Sequence, residues 1–411
     1  MNEVVQFSAG HEDLIHDVAY DFYGKRLVTC SSDQKLKVWD MDEDKGNWAC
    51  NDSWKGHDSS ILKVAWAHPE YGQVFASCSF DRTVRVWEEQ DQEAKLGGRR
   101  WSEKARLADS KGPVQDLEFA PTHLGLKLAT AASDGVLRIY EAMDVVQLGQ
   151  WTLMDEIEIA SLGAIGSMES ANIGGGVDGM ITRNQSNTGA VTSGGSTIAG
   201  SGGGLAGSGV AGAGVGGVGG GGAVTSHYCL SWCPSRFQPQ MLLVGCGREN
   251  VAKVFRIDAH GRWSPGEQLF GHGDVVTSVA WAPNMGRSYQ LLATACRDGH
   301  VRIFRLSGGG SGALPGGGDG GSSAGGGGPW QTAGAKKSTT AAGRFHVDLL
   351  ADFSDHGTEV WRVEWNVTGT ILSSSGDDGK VRLWKSSYMG EWRCMSIISA
   401  ESANPYDPAM R

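Results

Sequence analysis

The sequence has no long apolar run, no cluster of positive charge and no grouping of cysteines. No stretch approaches the roughly 18 consecutive apolar residues of a membrane-spanning helix, and the first residues lack a signal-peptide pattern. The net charge is −10, and lysine and arginine are dispersed, which argues against direct binding of nucleic acid. We therefore expect a soluble chain in a reducing compartment, without a transmembrane segment.

Metal, cofactor and catalytic patterns are also lacking. The 8 cysteines are scattered, and no second Cys or His pair at zinc-ligand spacing accompanies Cys229 and Cys233. No nucleophile, metal set or cofactor loop stands outside the repeat pattern described next. We expect no cofactor, no metal and no enzymatic activity.

What the sequence does contain is one strand unit repeated six times. Each copy has an apolar run that ends in an aromatic, a second apolar run, a polar turn and a basic–apolar–aromatic triplet. The first runs are Ile15–Tyr20, Ile61–Trp66, Val114–Phe119, Tyr228–Trp232, Val276–Trp281 and Val360–Trp365. Such a repeat predicts an all-β fold of radially arranged four-stranded blades, a β-propeller, and these proteins usually present surfaces rather than carry out chemistry.

The spacing of the repeats predicts one domain of six blades. The aromatics that end the first runs are 46, 53, 113, 49 and 84 residues apart. The two long intervals contain Gly-rich segments, Ala160–Ala223 and Ser307–Gly343, and become 49 and 47 residues without them. These values are close to the roughly 40–45 residues of a propeller blade. We predict blades at about residues 9–55, 56–110, 111–159, 224–268, 269–353 and 354–399, and disordered insertions at 160–223 and 307–343.

A polar set recurs inside the repeats: a His before the first strand, a Ser or Thr, an Asp and the aromatic of the triplet. Its members are His11, Thr29, Asp33, Trp39; His57, Ser77, Asp81, Trp87; Thr130, Asp134; His272, Thr294, Asp298; and His356, Ser374, Asp378, Trp384. One interpretation is a catalytic Ser-His-Asp set. Because the set returns in blade after blade, we favour a buried hydrogen-bond network that fixes each blade. In repeat 4, Gly245 and Glu249 replace the Ser/Thr and the Asp, so we expect a looser blade.

Strand counting leaves one strand over at the N-terminus. Repeats 1 and 6 each contain four strand patterns, yet Val4–Ser8 has the pattern of a further strand. It either caps an edge or frays, or it begins a seventh blade that another protein supplies, since uncovered strand edges invite pairing in trans.

The blade pattern resembles WD-repeat proteins, and more specifically the nucleoporins of the Sec-thirteen-homologue (SEH) family. The segments that carry this resemblance are residues 11–40, 67–73, 76–83, 129–141, 361–384 and 387–389. The likeness covers all six blades. It fails over the two Gly-rich segments and is weak around residues 247–251.

The resemblance implies an open six-bladed propeller that acts as a scaffold in the Y-shaped complex of the nuclear pore, at the nuclear envelope. A partner nucleoporin of that complex would complete the ring with an inserted blade, and other subunits of the Y complex would be further partners. The resemblance also implies a second role in a coat-like complex at the vacuolar or lysosomal periphery, or in the cytoplasm, that regulates TOR signalling.

The gap between repeats 6 and 1 is then the predicted partner site. On the N-terminal strand, Val4, Val5 and Phe7 alternate in a way that suits pairing with an incoming strand. The predicted apolar walls are Leu14, Ile15 and Val18 from repeat 1, and Val360, Val363 and Ile398 from repeat 6.

Two other binding functions stay open at this point. A Sec-thirteen-type subunit of vesicle coats would have the same fold, and its recovered partners would distinguish it. A peptide-binding WD-repeat adaptor would need a basic or aromatic cluster at the strand entrances, where the sequence has mixed residues such as Asp58, Lys111 and Glu359.

Overall fold

The computed structural model describes residues 7–42, 44, 46–160, 227–308 and 345–399. These residues form six antiparallel sheets, each made of four consecutive strands, and together the sheets form a β-propeller. Short 3₁₀ turns at Pro69–Tyr71 and Thr122–Leu124 are the helical elements of this part of the chain. None of its helices is long and apolar enough to span a membrane.

The strands of the first three blades follow each other closely in sequence. Blade 1 contains β1 (Ile15–Tyr20), β2 (Arg26–Ser31), β3 (Lys35–Asp42) and β4 (Asn47–Lys55). Blade 2 contains β5 (Ile61–Trp66), β6 (Val74–Ser79), β7 (Val84–Glu89) and β8 (Trp101–Leu107). Blade 3 contains β9 (Val114–Phe119), β10 (Lys127–Ala132), β11 (Val136–Ala142) and β12 (Trp151–Glu158).

The last three blades have the same order. Blade 4 contains β13 (Tyr228–Trp232), β14 (Met241–Cys246), β15 (Val251–Ile257) and β16 (Trp263–Leu269). Blade 5 contains β17 (Val276–Trp281), β18 (Tyr289–Cys296), β19 (Val301–Gly308) and β20 (Phe345–Phe353). Blade 6 contains β21 (Val360–Trp365), β22 (Ile371–Gly376), β23 (Lys380–Ser386) and β24 (Trp392–Ser399). The six first strands coincide with the six apolar runs of the sequence.

The core is divided among the junctions between consecutive blades. Five apolar clusters lie between blades 1 and 2, 2 and 3, 3 and 4, 4 and 5, and 5 and 6. The first strands of these consecutive blades also pack on each other. Over the described ranges, no such cluster joins blade 6 to blade 1. The ring is therefore open at this place.

Two predictions about segment ends need correction. The predicted N-terminal strand lies partly outside the described residues, and its described end, Phe7 and Ser8, is not in a strand. The second Gly-rich segment is predicted to begin at Ser307 as a disordered insertion. Ser307 and Gly308 instead belong to a strand, in which they pair with His346 and Phe345. The β-strand pattern there was hidden because small residues carry no apolar signal. Apart from Ala160, Ser307 and Gly308, both Gly-rich segments lie outside the described residues.

Candidate partner-binding site

Every blade has two faces, and equivalent residues of different blades point the same way round the ring. We call the face that packs on the blade before it in the sequence the preceding face, and the opposite one the following face. In blade 2, Ile61 and Val64 lie on the preceding face and join the cluster with Val28 and Cys30, which lie on the following face of blade 1. The same alternation along the first strand recurs at the other junctions because the strands share one register.

The preceding face of blade 1 is uncovered. Its first strand exposes Ile15 by 44%, Val18 by 47% and Tyr20 by 58%. Residues at the first two of these positions in other blades are at most 6% exposed: Ile61, Val114, Val276 and Val360, and Val64, Leu117, Leu230, Val279 and Val363. The chain thus exposes on blade 1 the Val18 position, which it buries in all the other blades, and the Ile15 position, which it buries in blades 2, 3, 5 and 6.

The following face of blade 6 forms the opposite wall. Val381 is 36% exposed, whereas its equivalents Leu36, Val84, Leu137, Ala252 and Val301 are at most 2% exposed. Ile398, which pairs with Val381, is also exposed, at 43%. Ser373 and Ser375 stand where blade 1 has Val28 and Cys30, so this wall is partly polar. We call these two walls, with the opening between them, the seam.

The prediction that Val360 and Val363 line the seam is wrong. Both are buried, and they belong to the apolar cluster between blades 5 and 6. They are the equivalents of Ile15 and Val18, and equivalent residues point the same way round the ring. The two walls of an opening must therefore come from different positions of the repeat. The predicted Leu14, Ile15, Val18 and Ile398 are exposed.

Phe7 occupies a place that another blade's outer strand would normally fill. Its ring lies 5.2 Å from that of Trp39 and 6.4 Å from that of Trp48. At the junction of blades 1 and 2, Trp54 at the end of β4 has the same relation to two rings of blade 2, Trp87 at 5.4 Å and Trp101 at 6.2 Å. The N-terminal segment thus ends in the position of the outer strand of a blade before blade 1. The predicted partner residues Val4 and Val5 lie outside the described residues.

An ion pair links the inner edges of the two walls. The guanidinium Nη2 of Arg362 on β21 lies 2.5 Å from Oδ1 of Asp17 on β1. The other carboxylate oxygen of Asp17 accepts the backbone N–H of Val64 at 3.1 Å. Polar contacts, not apolar packing, therefore bridge the seam.

The recurring His set forms a buried network inside the blades. In blade 2, His57 contacts Asp81 through Nδ1 at 2.9 Å and Ser77 through Nε2 at 2.8 Å, and the indole N–H of Trp87 donates to Ser77 at 2.9 Å. Blades 1 and 6 repeat this arrangement. Ser77 is fully buried. Its hydroxyl is thus engaged on both sides and away from solvent, which favours the structural interpretation over a catalytic one.

The Asp of each set also fixes the turn between the second and third strands. Asp81 accepts the backbone N–H of Thr83 at 2.9 Å across a turn in which Arg82 has a φ of 69°. Gln34 in blade 1 has a φ of 68° at the same place. A side-chain acceptor stabilises such a turn even where glycine is absent.

Electrostatics inside the network follow from burial and hydrogen bonding. Burial raises the pKa of Asp81, but hydrogen bonds from His57, Thr83 and the Asp58 backbone outweigh it and hold the pKa below its usual range. Burial lowers the pKa of His57 more than Asp81 raises it. The pair therefore consists of a carboxylate and a neutral imidazole at pH 7.

Blades 3, 4 and 5 depart from the full network. Blade 3 has no His at this place, and Asp134 pairs with Arg138 at 2.9 Å, a contact that Arg302 also makes with Asp298 in blade 5. In blade 4, Lys253 lies 2.6 Å from Glu249. In blade 5, His272 contacts Thr294 at 2.9 Å, but its Nδ1 is buried without a partner in the described structure. Thr130 is buried in blade 3.

Comparison with known proteins identifies the family. Residues 2–40, 48–88, 263–305 and 347–385 match the WD domain, G-beta repeat family. Nucleoporin SEH1 of Saccharomyces cerevisiae is 38% identical over 403 residues, which are 96% of this chain and 99% of that protein. Nucleoporin SEH1 of Homo sapiens is 36% identical over 410 residues, which are 96% of this chain and 88% of that protein. The chain belongs to the SEH1 family of WD-repeat nucleoporins.

Three further observations complete the description of this SEH1-family protein. Most of blades 3 and 4 lies outside the WD-repeat matches, yet both are complete four-stranded sheets. The eight cysteines are free, and six of them are buried. Over the described residues, no group of three His, Cys, Asp or Glu side chains could hold a metal ion.

Sequence reasoning missed several residues of the seam in this SEH1-family chain. Tyr20 on blade 1, Val381, Ser373 and Ser375 on blade 6, and the Arg362–Asp17 pair were not predicted. Aligning the six repeats could have found them, because Ser373 and Ser375 replace the small apolar residues found at these places elsewhere. A polar substitution at an otherwise apolar repeat position is a signal for an altered junction.

Proposed function

We propose that this chain is a non-enzymatic scaffold subunit of the Y-shaped complex of the nuclear pore, and that a partner nucleoporin fills the seam with a β-blade of its own. The observation that carries this proposal is the exposure of Ile15 and Val18, since the Val18 position is buried in every other blade and the Ile15 position is buried in blades 2, 3, 5 and 6. Membership of the SEH1 family of nucleoporins supports the location at the nuclear envelope.

The shape of the seam favours a blade over a single peptide strand. Both walls are faces of four-stranded sheets, and a partner must cover Val18 on one side and Val381 and Ile398 on the other. An insert that covers both faces buries more area than the roughly 1,600 Å² of an ordinary interface. The position of Phe7 adds to this argument, since it lies where the outer strand of a blade before blade 1 would end and can complete the incoming blade there.

The experiment is affinity purification of the tagged full-length chain from its own cells at physiological salt, followed by identification of the retained proteins. Wild type should retain scaffold nucleoporins, and Val18→Asp should lose them because a charge then faces the incoming blade. Phe237→Asp is the matched control, since Phe237 is 90% exposed on blade 4, away from the seam.

The result separates this proposal from its alternatives. Retention of nucleoporins by Val18→Asp would contradict insertion at the seam. Recovery of the long coat subunit of ER vesicles instead would favour the Sec-thirteen-type function. Loss of binding in variants of a propeller face, with the seam variants unaffected, would favour a peptide-binding adaptor.

We also propose the vacuolar or lysosomal coat-like assembly as a second location, with a role in TOR signalling. Family resemblance supports it, and the seam adds one consequence. Because the seam accommodates one blade, each copy of the chain joins one assembly at a time. Purification from vacuolar membranes and from nuclear envelopes should recover two different blade donors, and recovery of both donors on one copy would contradict this.

A further inference from the structure

The junctions between consecutive blades share a polar register along their inner edges. On each first strand we number the residues backward from the terminal aromatic, which is position 0. Side chains at positions −3 and −1 point toward the next blade, and several accept its backbone N–H groups. Position −3 reaches the N–H of position −2 in the next blade from Asp17, Asp116 and Ser278 at 3.1, 2.9 and 3.4 Å. Position −1 reaches the N–H of position 0 from Glu118 and Ser231 at 2.9 and 3.1 Å.

Asp116 in blade 3 follows a blade that carries a cation at position −3, and its carboxylate contacts both neighbouring blades. Lys63 holds that position in blade 2, and its Nζ lies 3.6 Å from Oδ1 of Asp116. The other oxygen of Asp116 accepts the N–H of Leu230 in blade 4. One carboxylate on the middle blade thus neutralises the cation behind it and caps the backbone ahead of it.

The two edges of the seam carry the cation and the backbone N–H of this arrangement, one on each side of the opening. Arg362 holds position −3 of blade 6, as Lys63 does in blade 2. Val18 holds position −2 of blade 1, as Leu230 does in blade 4, and its pairing with Thr29 matches that of Val64 with Ser77. The N–H of Val18 therefore points into the seam. No carboxylate equivalent to Asp116 lies between them in the described structure, and Arg362 instead binds Asp17 across the seam.

We propose that the inserted blade carries a carboxylate at position −3 of its innermost strand, which binds Arg362 on one side and accepts the backbone N–H of Val18 on the other. This inference rests on the proposed function, because it assumes an inserted blade, and it specifies the chemistry of the partner. Glu364 sets the register: it holds position −1 of blade 6 and is exposed, so its carboxylate accepts the N–H of position 0 of the incoming strand, as Glu118 does for Trp232.

A carboxylate suits this position better than a neutral acceptor. When a strand occupies the space between β21 and β1, the bond between Arg362 and Asp17 has to open, and Arg362 needs a new counter-ion. An unpaired guanidinium at a covered interface is costly. Asp17 does not lose its only cation, because Lys63 lies nearby in blade 2. The carboxylates of Asp116 and Asp17, in the blades on either side, both raise the pKa of Lys63.

The test uses the complex purified from native cells. Tyr20 is replaced by the photo-crosslinking amino acid p-benzoylphenylalanine, and the crosslinked partner peptide locates the innermost strand. Retention of that partner is then measured for Arg362→Met, with Arg305→Met as control, because Arg305 forms an ion pair with Asp348 at 2.8 Å in blade 5. Arg362→Met should weaken retention by at least about tenfold, the usual effect of losing a charged hydrogen bond, and Arg305→Met should not.

A charge exchange completes the test. Arg362→Glu should lose the partner, and a lysine in place of the partner's acidic residue should restore part of the retention, because it re-forms the ion pair but cannot accept the N–H of Val18. Melting of each isolated variant guards against misfolding. If the crosslink maps to the seam but the facing residue is neutral, or Arg362→Met retains the partner fully, the carboxylate is refuted while the inserted blade stands. If the crosslink maps to no inserted strand, both this inference and the insertion at the seam are wrong.

Discussion

Val18 and Val64 occupy the same position in blades 1 and 2 and pair with the equivalent residues Thr29 and Ser77, but they have opposite surroundings. Val64 is 1% exposed beneath blade 1, whereas Val18 is 47% exposed. The same contrast holds between Ile15 and Ile61. The first two strands of the two sheets are alike in register and length, so the difference lies in what precedes each blade.

This contrast teaches that blade 1 keeps a junction surface which the chain itself does not cover. Fully burying a Val or Ile side chain contributes about 1.5–3 kcal/mol, so the open wall forgoes several such contributions in the isolated chain. A protein that covers the wall stabilises the fold as it binds. The exposed edge of β1 also invites pairing in trans, so the isolated chain should associate more readily than its complex.

The largest expected effects come from placing a charge at each of the two equivalent valines. Val64→Asp should destabilise the chain by roughly 3–5 kcal/mol, because an unpaired carboxylate would be buried between blades 1 and 2. Val18→Asp should change the free energy of unfolding by less than about 0.5 kcal/mol in the isolated chain, as an exposed substitution does. Thermal melting of both variants measures the difference. Equal losses of stability would mean that the chain itself covers the preceding face of blade 1.

The His network should show no such contrast between the two blades. Asp81→Ala in blade 2 should cost about 1–3 kcal/mol, since it leaves buried donors without an acceptor. Asp33→Ala in blade 1 should cost the same, because His11 and Thr29 form the same bonds at 2.9 Å. Denaturant unfolding would measure both. An unchanged stability of Asp81→Ala would contradict the role of the turn.

Blade 4 provides the matched control for this prediction. Glu249 contacts Lys253, but Gly245 offers no hydroxyl, and no His precedes the strand. Glu249→Ala should therefore cost less than Asp81→Ala. A larger cost in blade 4 would show that the lysine pair replaces the network in full.

Much of the fold could be predicted from the sequence because the repeat carries its own register. The strand that ends at Trp66 and the one that ends at Trp365 have the same pattern, and a period shared by six copies fixes the number of blades. The strand ends were less certain, as Ser307 shows, since a strand can continue through small residues when its partner supplies the hydrogen bonds. The predicted residue boundaries of the six blades remain predictions.

The seam could be predicted only in part. Counting strands located the opening, and Ile15, Val18 and Ile398 were found because they are apolar. The sequence could not show which face each residue presents, so Val360 was placed on the wrong side. The polar part of the seam was missed for another reason: Arg362 and Asp17 are far apart in the chain, and only closure of the ring brings them together.

A pH titration examines a junction away from the seam. Burial and the neighbouring Arg302 lower the pKa of His272 to about 4 from an ordinary value of 6.5. The unfolded chain therefore takes up a proton near pH 6.5 and the folded chain does not, so this contribution to stability is complete above that pH and is lost as the pH falls toward 4. His272→Gln should lose less stability than wild type between pH 7 and pH 5, measured by denaturant unfolding.

The partner should leave this pH dependence unchanged. His272 precedes blade 5, and a blade inserted at the seam does not touch that junction. The complex should therefore show the same difference between wild type and His272→Gln as the isolated chain. A difference that disappears on binding would mean that the partner also contacts blade 5.

Only a small effect on stability is expected for the truncation of Phe7, which bears directly on the seam. Phe7 is 39% exposed, with one side of its ring on Trp39. Phe7→Ala should cost about 1 kcal/mol in the isolated chain, the usual value of an aromatic pair, and the six blades should remain folded. Trp54→Ala, at the equivalent place in a closed junction, should cost more because Trp54 packs on three rings there.

Binding should respond to Phe7 more than stability does. The ring lies where the outer strand of the seventh blade would end, next to the inserted strands, so Phe7→Asp or deletion of residues 1–8 should weaken retention of the partner nucleoporin while melting changes little. Deletion removes the anchor but leaves the wall of Ile15 and Val18 intact, so some binding should persist, in contrast to Val18→Asp. If the deletion variant retains the partner with unchanged affinity, the N-terminal segment covers Trp39 alone and contributes nothing to the seventh blade.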